Sequence, residues 1–351
     1  MSNHTVKDKT VLFIYTSLPG YMFSCIDRLA MEIPYKIIVI ETDSNINYPI
    51  KYSSRNFDII NYSDFNKVIG STNNEDIKKV IITGWANQII RSVANYFFKR
   101  NVRMLLLSDQ ARKNNIKQRF GKLILKTYLD KFEKIIVPGK SGLDLMLYYG
   151  VSKEHIITGL YSADQKIFNE AKNLRDIKPE YPKSFLFDGQ FIDRKGIRFL
   201  INDYLNYRKL SKNPWDLIMV GKGNLENIIP EEIRNLGFVE QSKLKEVYEN
   251  AGCFVLPSFE DHWGVVIHQA AAAGLPLIIS PYCYSHLEFF EDKRNGYFID
   301  PHIHGSLKKA MIKIENSSEE KLKEMGELSF ELSKKFSVEN WVNIFNSLIE
   351  N

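Results

Sequence analysis

Pro257-Ser258-Phe259-Glu260-Asp261-His262-Trp263-Gly264-Val265-Val266-Ile267-His268-Gln269-Ala270, continued by Ala271-Ala272-Ala273-Gly274-Leu275-Pro276, is the most informative stretch of this chain. The apolar run Cys253–Leu256 ahead of it reads as a buried strand that ends at Pro257-Ser258. A loop with two carboxylates follows, and then an apolar helix that starts near Gly264 and stops at Gly274, a residue suited to the position after a helix end. Strand, polar loop and helix in that order put free backbone N–H groups and the positive end of a helix dipole at the strand's C-terminal edge. That is where anions bind in open α/β sheets.

The same alternation extends in both directions. Val11–Tyr15, Lys36–Glu41, Val80–Thr83, Arg103–Leu107 and Ile135–Val137 read as buried strands, with helices over Phe23–Glu32, Ala86–Lys99 and Ser141–Tyr149 between them. A second set has strands at Ser184–Phe187, Asp216–Val220, Cys253–Leu256 and Pro276–Ile279, and helices near Ile197–Tyr207, Ser242–Asn250 and Val265–Ala273. This is the pattern of two parallel sheets flanked by helices. Ser162–Lys183, polar and carrying Pro179 and Pro182, interrupts both periodicities and reads as a linker. The expected division is residues 1–165, a linker at 166–183, a second domain at 184–335 and a closing helix at 336–351, where Trp341, Ile344, Phe345, Leu348 and Ile349 share a helical face.

Composition agrees with two domains, since 351 residues at 44% hydrophobic content supply two cores. Three scattered cysteines, Cys25, Cys253 and Cys283, exclude a disulfide framework and form no Cys-x-x-Cys pair. The polar opening Met1–Thr10 lacks the apolar stretch of a signal peptide, and no run approaches the ~20 residues that span a bilayer. A cytoplasmic protein is therefore expected. Charge is uneven: Arg112 to Lys134 holds eight basic residues against two acidic ones, with Ile116, Phe120, Leu123, Ile124 and Tyr128 on a helical stripe. That stripe fits either a basic amphipathic helix lying on an anionic membrane face or a core helix with a solvated charged face.

With these elements in place, the 257–276 passage resembles the signature of the family 4 retaining glycosyltransferases, in which Glu-x7-Glu surrounds an aromatic-Gly pair ahead of a Gly-x-Pro. Anchoring on Trp263-Gly264 puts Asp261 at the first acidic position and Gln269 at the second; pairing Glu260 with His268 would misplace the aromatic-Gly pair. The resemblance implies the GT-B fold, two Rossmann-like domains whose parallel sheets face each other across a cleft, with a C-terminal helix returning toward the first domain. It implies that Asp261 holds donor-sugar hydroxyls, that Gln269 holds the ribose, and that His262, Trp263, Gly264 and Val265 line the donor. The lesser reading is that Asp261 merely caps the helix and Gln269 is an ordinary helical residue.

Further elements follow in the family's order. Phe187-Asp188-Gly189-Gln190-Phe191-Ile192-Asp193-Arg194-Lys195-Gly196 resembles its Gly-Arg…Lys-Gly element, so Lys195 and Arg194, with Gly189 and Gln190, are expected at the donor diphosphate; Gln190 replaces the family's arginine. Gly221 in Val220-Gly221-Lys222-Gly223, and Phe238, Val239 and Leu244, resemble the segments around the base. In the first half, Gly20 stands in the loop that faces the donor phosphates, while Gly84-Trp85 and Ser108-Asp109 follow strands and point to Trp85, Ser108 and Asp109 as acceptor residues. Asp261, Lys195 and Asp109 are the expected catalytic groups.

The implied activity is transfer of a hexosyl- or N-acetylhexosaminyl-type sugar from a nucleotide diphosphate sugar, UDP favoured over GDP, to a glycan or lipid-linked glycan, as in surface polysaccharide or glycoconjugate biosynthesis. No metal or other cofactor is expected, since no Asp-x-Asp pair stands at a strand end, and weak membrane contact would run through 112–134. A donor-binding but inactive partner subunit and a sugar-nucleotide epimerase on the same fold are the other readings. An oxidoreductase is disfavoured because no Gly-x-Gly-x-x-Gly follows the first strand, and nucleic-acid binding has only the one basic stretch in its favour.

Overall fold

The computed structural model describes residues 9–43, 53–65, 73–113 and 115–351, so the first eight residues of the polar opening, and Asn114 in the basic stretch, lie outside the described residues. The chain folds as two compact units, residues 1–162 with 338–351, and residues 163–337. In chain order the first part comprises β1 (Thr10–Tyr15), α1 (Gly20–Glu32), β2 (Lys36–Glu41), β3 (Asp58–Asn61), β4 (Ile77–Thr83), α2 (Gln88–Phe98), β5 (Met104–Leu107), α3 (Ile116–Ile124), β6 (Lys134–Val137), α4 (Lys140–Tyr148) and β7 (Ile156–Thr158). The remainder comprises α5 (Gln165–Asp176), β8 (Ser184–Asp188), α6 (Ile197–Leu210), β9 (Asp216–Val220), β10 (Arg234–Asn235), α7 (Gln241–Glu249), β11 (Cys253–Leu256), α8 (Val265–Ala272), β12 (Leu277–Ile279), β13 (Gly296–Phe298), α9 (Ser306–Glu315), α10 (Glu319–Ser333) and α11 (Val338–Glu350).

The first sheet has the order β3-β2-β1-β4-β5-β6-β7, the second β10-β9-β8-β11-β12-β13, with every pairing parallel. Parallel strands are covered on both faces and read as unbroken apolar runs. In β1, Val11, Phe13 and Tyr15 enter one core with α1 and α11, while Leu12 and Ile14 enter the other with Ile90, Val93 and Phe97 of α2. Each fully buried side chain of this size contributes about 1.5–3 kcal/mol relative to exposure. The chain returns to the first unit through α11, whose Trp341 donates its indole N–H to the Leu160 carbonyl at 2.9 Å, with Phe345 packed over Phe13. The expected return of the C-terminal helix is thus observed.

The strands at 58–61, 156–158, 234–235 and 296–298 are additions to the expected set, all of them short and outermost or next to a sheet edge. The stretch expected as a linker at 166–183 is a correction, because most of it is α5. Phe168, Ala171 and Arg175 bury one face of that helix, and Arg175 donates from Nη2 to the carbonyls of Ala273 and Gly274 at 2.7 and 2.8 Å, closing the end of α8. Its polar residues form a solvent face, and the two prolines only follow its end.

In both sheets the strand order reverses beside one strand, between β1 and β4 and between β8 and β11. The crevice outside the carboxyl ends of such a strand pair is the place where open α/β sheets take ligands.

Helix α3 presents its apolar residues to solvent, with Ile116, Phe120, Leu123 and Ile124 66–78% exposed, and turns Gln118 and Gly121 inward. Gln118 accepts from the Lys113 amide and donates to the Ala111 carbonyl at 2.8 and 2.7 Å. Of the expected stripe only Tyr128, beyond α3, packs against a core, and the apolar side of α3 itself enters none among the described residues. No helix among the described residues is long and apolar enough to cross a membrane.

Candidate functional site

At the β8/β11 crevice the second unit brings two loops together. After β8 the chain runs through Gly189 and Gln190 to a single 3-10 turn, Asp193–Lys195, which ends at Gly196 with φ 75°. A Cβ at Gly196 would fall 2.2 Å from the carbonyl oxygen of Pro257, so only glycine lets this turn lie against the exit of β11. The loops are also stitched by polar bonds: the Phe259 amide donates to the Arg194 carbonyl at 2.9 Å, and Arg194 Nη1 donates to the Glu260 carbonyl at 2.8 Å.

This stitching delivers Lys195 to Asp261. The ammonium donates to Oδ2 of the carboxylate, Arg194 Nη1 stands 3.8 Å from Oδ1, and both Lys195 and Asp261 are buried. Asp261 is held from behind as well, its amide donating to Tyr282 at 2.9 Å and its carbonyl accepting from the Tyr284 amide at 3.2 Å. Two cations face this one carboxylate beside the start of α8, whose first amides have no partner within the helix. Gly264, at φ 69°, begins that helix, and a Cβ there would lie 3.2 Å from Asp261 Oδ2.

The other expected donor residues divide by position. Gly189, Gly221 and the Gly237 turn ahead of Phe238 and Val239 stack along the same sheet edge: the Gly221 amide donates to the Gly237 carbonyl at 2.8 Å, and a Cβ on Gly221 would meet the Gly189 carbonyl at 1.8 Å. Gln190 is exposed, and Gln269 is buried in α8 with no side-chain hydrogen bond among the described residues. Trp263 is placed differently from the expectation, packed edge-on against Phe289 and Phe336 with its indole N–H buried and unpartnered. Leu244 likewise belongs to the buried face of α7. His262 meets Glu260 Oε1 at 3.3 Å.

His268, the partner of Glu260 in the other register, is engaged on both ring nitrogens. It accepts from the Ala163 amide through Nδ1 at 3.0 Å, so Nε2 carries the proton and donates to the Ser333 carbonyl at 3.1 Å, and the ring stacks on Phe289. Burial pushes its imidazole down to about 4, against a smaller opposing effect of the Ser333 carbonyl. A neutral, buried histidine with both nitrogens engaged within its own unit has no ring nitrogen left to offer a ligand.

Asp188, the last residue of β8, was not among the expected site residues. Tyr248 donates its hydroxyl to Asp188 Oδ2 at 2.9 Å. Burial raises its carboxyl to about 6, against the hydrogen bond from Tyr248 and the charge of Lys195, which lower it.

At the β1/β4 crevice the first unit has a cavity of about 390 Å³ lined by Tyr15, Tyr21, Thr83, Trp85, Asp109 and Tyr161 among others. Tyr21 and Tyr161 meet edge-on at 5.4 Å. Trp85 and Asp109 thus line one cavity, whereas Ser108 is buried at the sheet edge, its hydroxyl unpartnered and its amide bonded to the Ile136 carbonyl. Gly20 opens α1 between Pro19 and Tyr21, which both line the cavity. Burial holds the Tyr161 phenol well above its usual value, and Asp109 adds to the effect.

Comparison with known proteins bears on the second unit first, because residues 170–330 match the family described as glycosyl transferases group 1. The matched stretch is a little under half of the chain. It spans the Lys195–Asp261 site. A second match is 28% identical over 128 residues to a protein of Methanocaldococcus jannaschii named uncharacterized glycosyltransferase MJ1607; it covers 34% of this chain and 32% of that protein, about a third of the relative's length. Among solved structures, Anabaena Alr3699/HepE in complex with UDP is similar at a TM-score of 0.72 and 14% identity, over 97% of this chain and 99% of that one. Sucrose-phosphate synthase from Thermosynechococcus elongatus is similar at 0.74 and 16% identity, over 97% and 98%. The matched stretch thus sits within a chain of GT-B fold.

Proposed function

We propose that this chain is a retaining, metal-independent glycosyltransferase that moves a hexosyl or N-acetylhexosaminyl group from a UDP-sugar to a glycan or lipid-linked glycan, in the making of a surface polysaccharide or glycoconjugate. The observation that carries this reading is the convergence of Lys195 and Arg194 on the β8/β11 crevice, beside the first amides of α8. As the glycosidic bond breaks, negative charge grows on the departing diphosphate. Fixed cations and backbone N–H groups stabilise that charge without reorganising during the step. UDP is favoured by the likeness to HepE, which was crystallised with UDP.

In this reading the first unit takes the acceptor in the cavity of Trp85 and Asp109, where aromatic faces suit the C–H face of a sugar ring and the carboxylate orients or deprotonates its hydroxyl. Thermal melting tests the donor assignment. A nucleotide at 100 times its Kd stabilises by about 2.7 kcal/mol, so UDP and UDP-sugars are expected to raise Tm more than GDP does, and Lys195→Ala is expected to remove the shift. If no nucleotide diphosphate moves the wild-type Tm, the assignment fails.

Membrane contact belongs to the same proposal. Helix α3 exposes Ile116, Phe120, Leu123 and Ile124 beside Lys113, Lys117, Arg119, Lys122 and Lys126, with no acidic residue from 112 to 126. Each basic residue gains about 1 kcal/mol near an anionic surface, and the apolar face adds burial at the acyl boundary. In low salt the protein is expected to sediment with phosphatidylglycerol-containing vesicles and not with neutral ones, and the double change Phe120→Asp, Leu123→Asp is expected to leave it in the supernatant. Equal recovery of wild type with both vesicle types would remove the membrane from the proposal.

A further inference from the structure

Asp261 stands where the resemblance assigns a grip on the donor sugar, but its surroundings favour another task. Both of its oxygens are turned to cations of its own chain: Oδ2 accepts from Lys195, Oδ1 faces Arg194, and Oδ2 also lies against the start of α8 at Gly264. Its backbone is fixed on both sides, the amide donating to the Tyr282 carbonyl and the carbonyl accepting from the Tyr284 amide. An aspartate is one methylene shorter than the glutamate of the family pattern, and with Lys195 and Arg194 in front of it the side chain ends at the cations. Lys195 itself is buried, and a buried ammonium without a counter-charge is costly.

We propose that Asp261 is a positioning residue for Lys195, fixing the ammonium where a diphosphate meets it, rather than a contact to the transferred sugar. The inference rests on the donor site proposed above. An ammonium has three N–H donors, so Lys195 keeps one on Asp261 and presents the others to phosphate oxygens. Arg194, tied to the Glu260 carbonyl, gives the second charge from the side. On this account Asp261 acts on the part of the donor that UDP and every UDP-sugar share.

The two roles separate on the ratio of two affinities. Calorimetric titration of UDP and of UDP-glucose is made on wild type, Asp261→Ala and Asp261→Asn, with unliganded melting curves as a check of folding. Asp261→Asn keeps the shape of the side chain and serves if the alanine variant does not fold. Positioning predicts that both ligands weaken together, by about tenfold or more, as expected when a charge-assisted pair that aims a binding group is lost. Asp261→Glu is expected to recover most of the UDP affinity, since a carboxylate again faces Lys195. If a variant binds UDP as tightly as wild type or tighter while UDP-glucose weakens, Asp261 is a sugar contact and the inference is overturned. A wild type that binds neither ligand would instead defeat the donor-site reading itself, so the two failures are distinct.

Discussion

Trp341→Ala is expected to destabilise the first unit by about 4 kcal/mol, within the range of large aromatic truncations in a core. Trp341 is buried, stacks on Phe345 at 3.9 Å between ring centres, and donates to the Leu160 carbonyl. Its loss opens a cavity under α11 and leaves that carbonyl, at the end of the first unit's last strand segment, without its partner. Amide exchange in β1, which lies beneath α11 through the Phe13–Phe345 contact, reports the change: about 4 kcal/mol corresponds to about a thousandfold faster global exchange. Trp341→Phe retains most of the apolar surface and should lose only about 1–2 kcal/mol, chiefly from the orphaned carbonyl. Unchanged exchange in the alanine variant would mean that α11 is not part of the first unit's cooperative core.

The contrast between α11 and α5 shows what periodicity conveys. In α11, Trp341, Phe345, Leu348 and Ile349 fall on one face and are large, so the helix and its buried side were both legible. In α5 the buried face is Phe168, Ala171 and an arginine, too weak an apolar stripe to read as a helix beside the break signals of Pro179 and Pro182. Helix α3 shows a different limit. Its stripe of Ile116, Phe120, Leu123 and Ile124 was visible, yet amphipathic spacing does not say whether the apolar side meets a core or solvent. Only packing, with Gln118 and Gly121 turned inward, decides that.

The site was legible to a similar depth. Lys195 and Asp261 stand at spacings that match a known element order, but their direct pairing joins residues 66 positions apart and is a product of the fold. Gly196 permits that pairing through its close approach to Pro257, a contact that no local pattern announces. Trp263 shows a further limit: an aromatic beside a glycine at a helix start reads as a ligand contact, whereas in the fold it packs on Phe289 and Phe336.

Asp188 carries the second large effect, because burial has separated its folded and unfolded titration. Its carboxyl is raised from the usual 3.8 to about 6. The folded protein therefore holds this proton more tightly than the unfolded chain does. The resulting stabilisation is complete below about pH 3.8 and is lost as pH rises through about 6. Two units of separation correspond to roughly 3 kcal/mol forgone at pH 7.5. Asp188→Asn keeps an oxygen for the Tyr248 hydroxyl and has no charge to bury, so at pH 7.5 it is expected to stabilise the second unit by about 2–3 kcal/mol, with the gain vanishing near pH 4. Urea unfolding of both proteins at pH 4, 5.5 and 7.5 measures the gap, and parallel curves with no pH-dependent difference would show that Asp188 titrates normally. A residue that weakens the fold at neutral pH is more often kept for a site than for stability, and Asp188 is coupled to Lys195 by charge. Removing that negative charge should also tighten UDP-glucose binding at pH 7.5, and more there than at pH 5, where the wild-type carboxyl is already largely protonated.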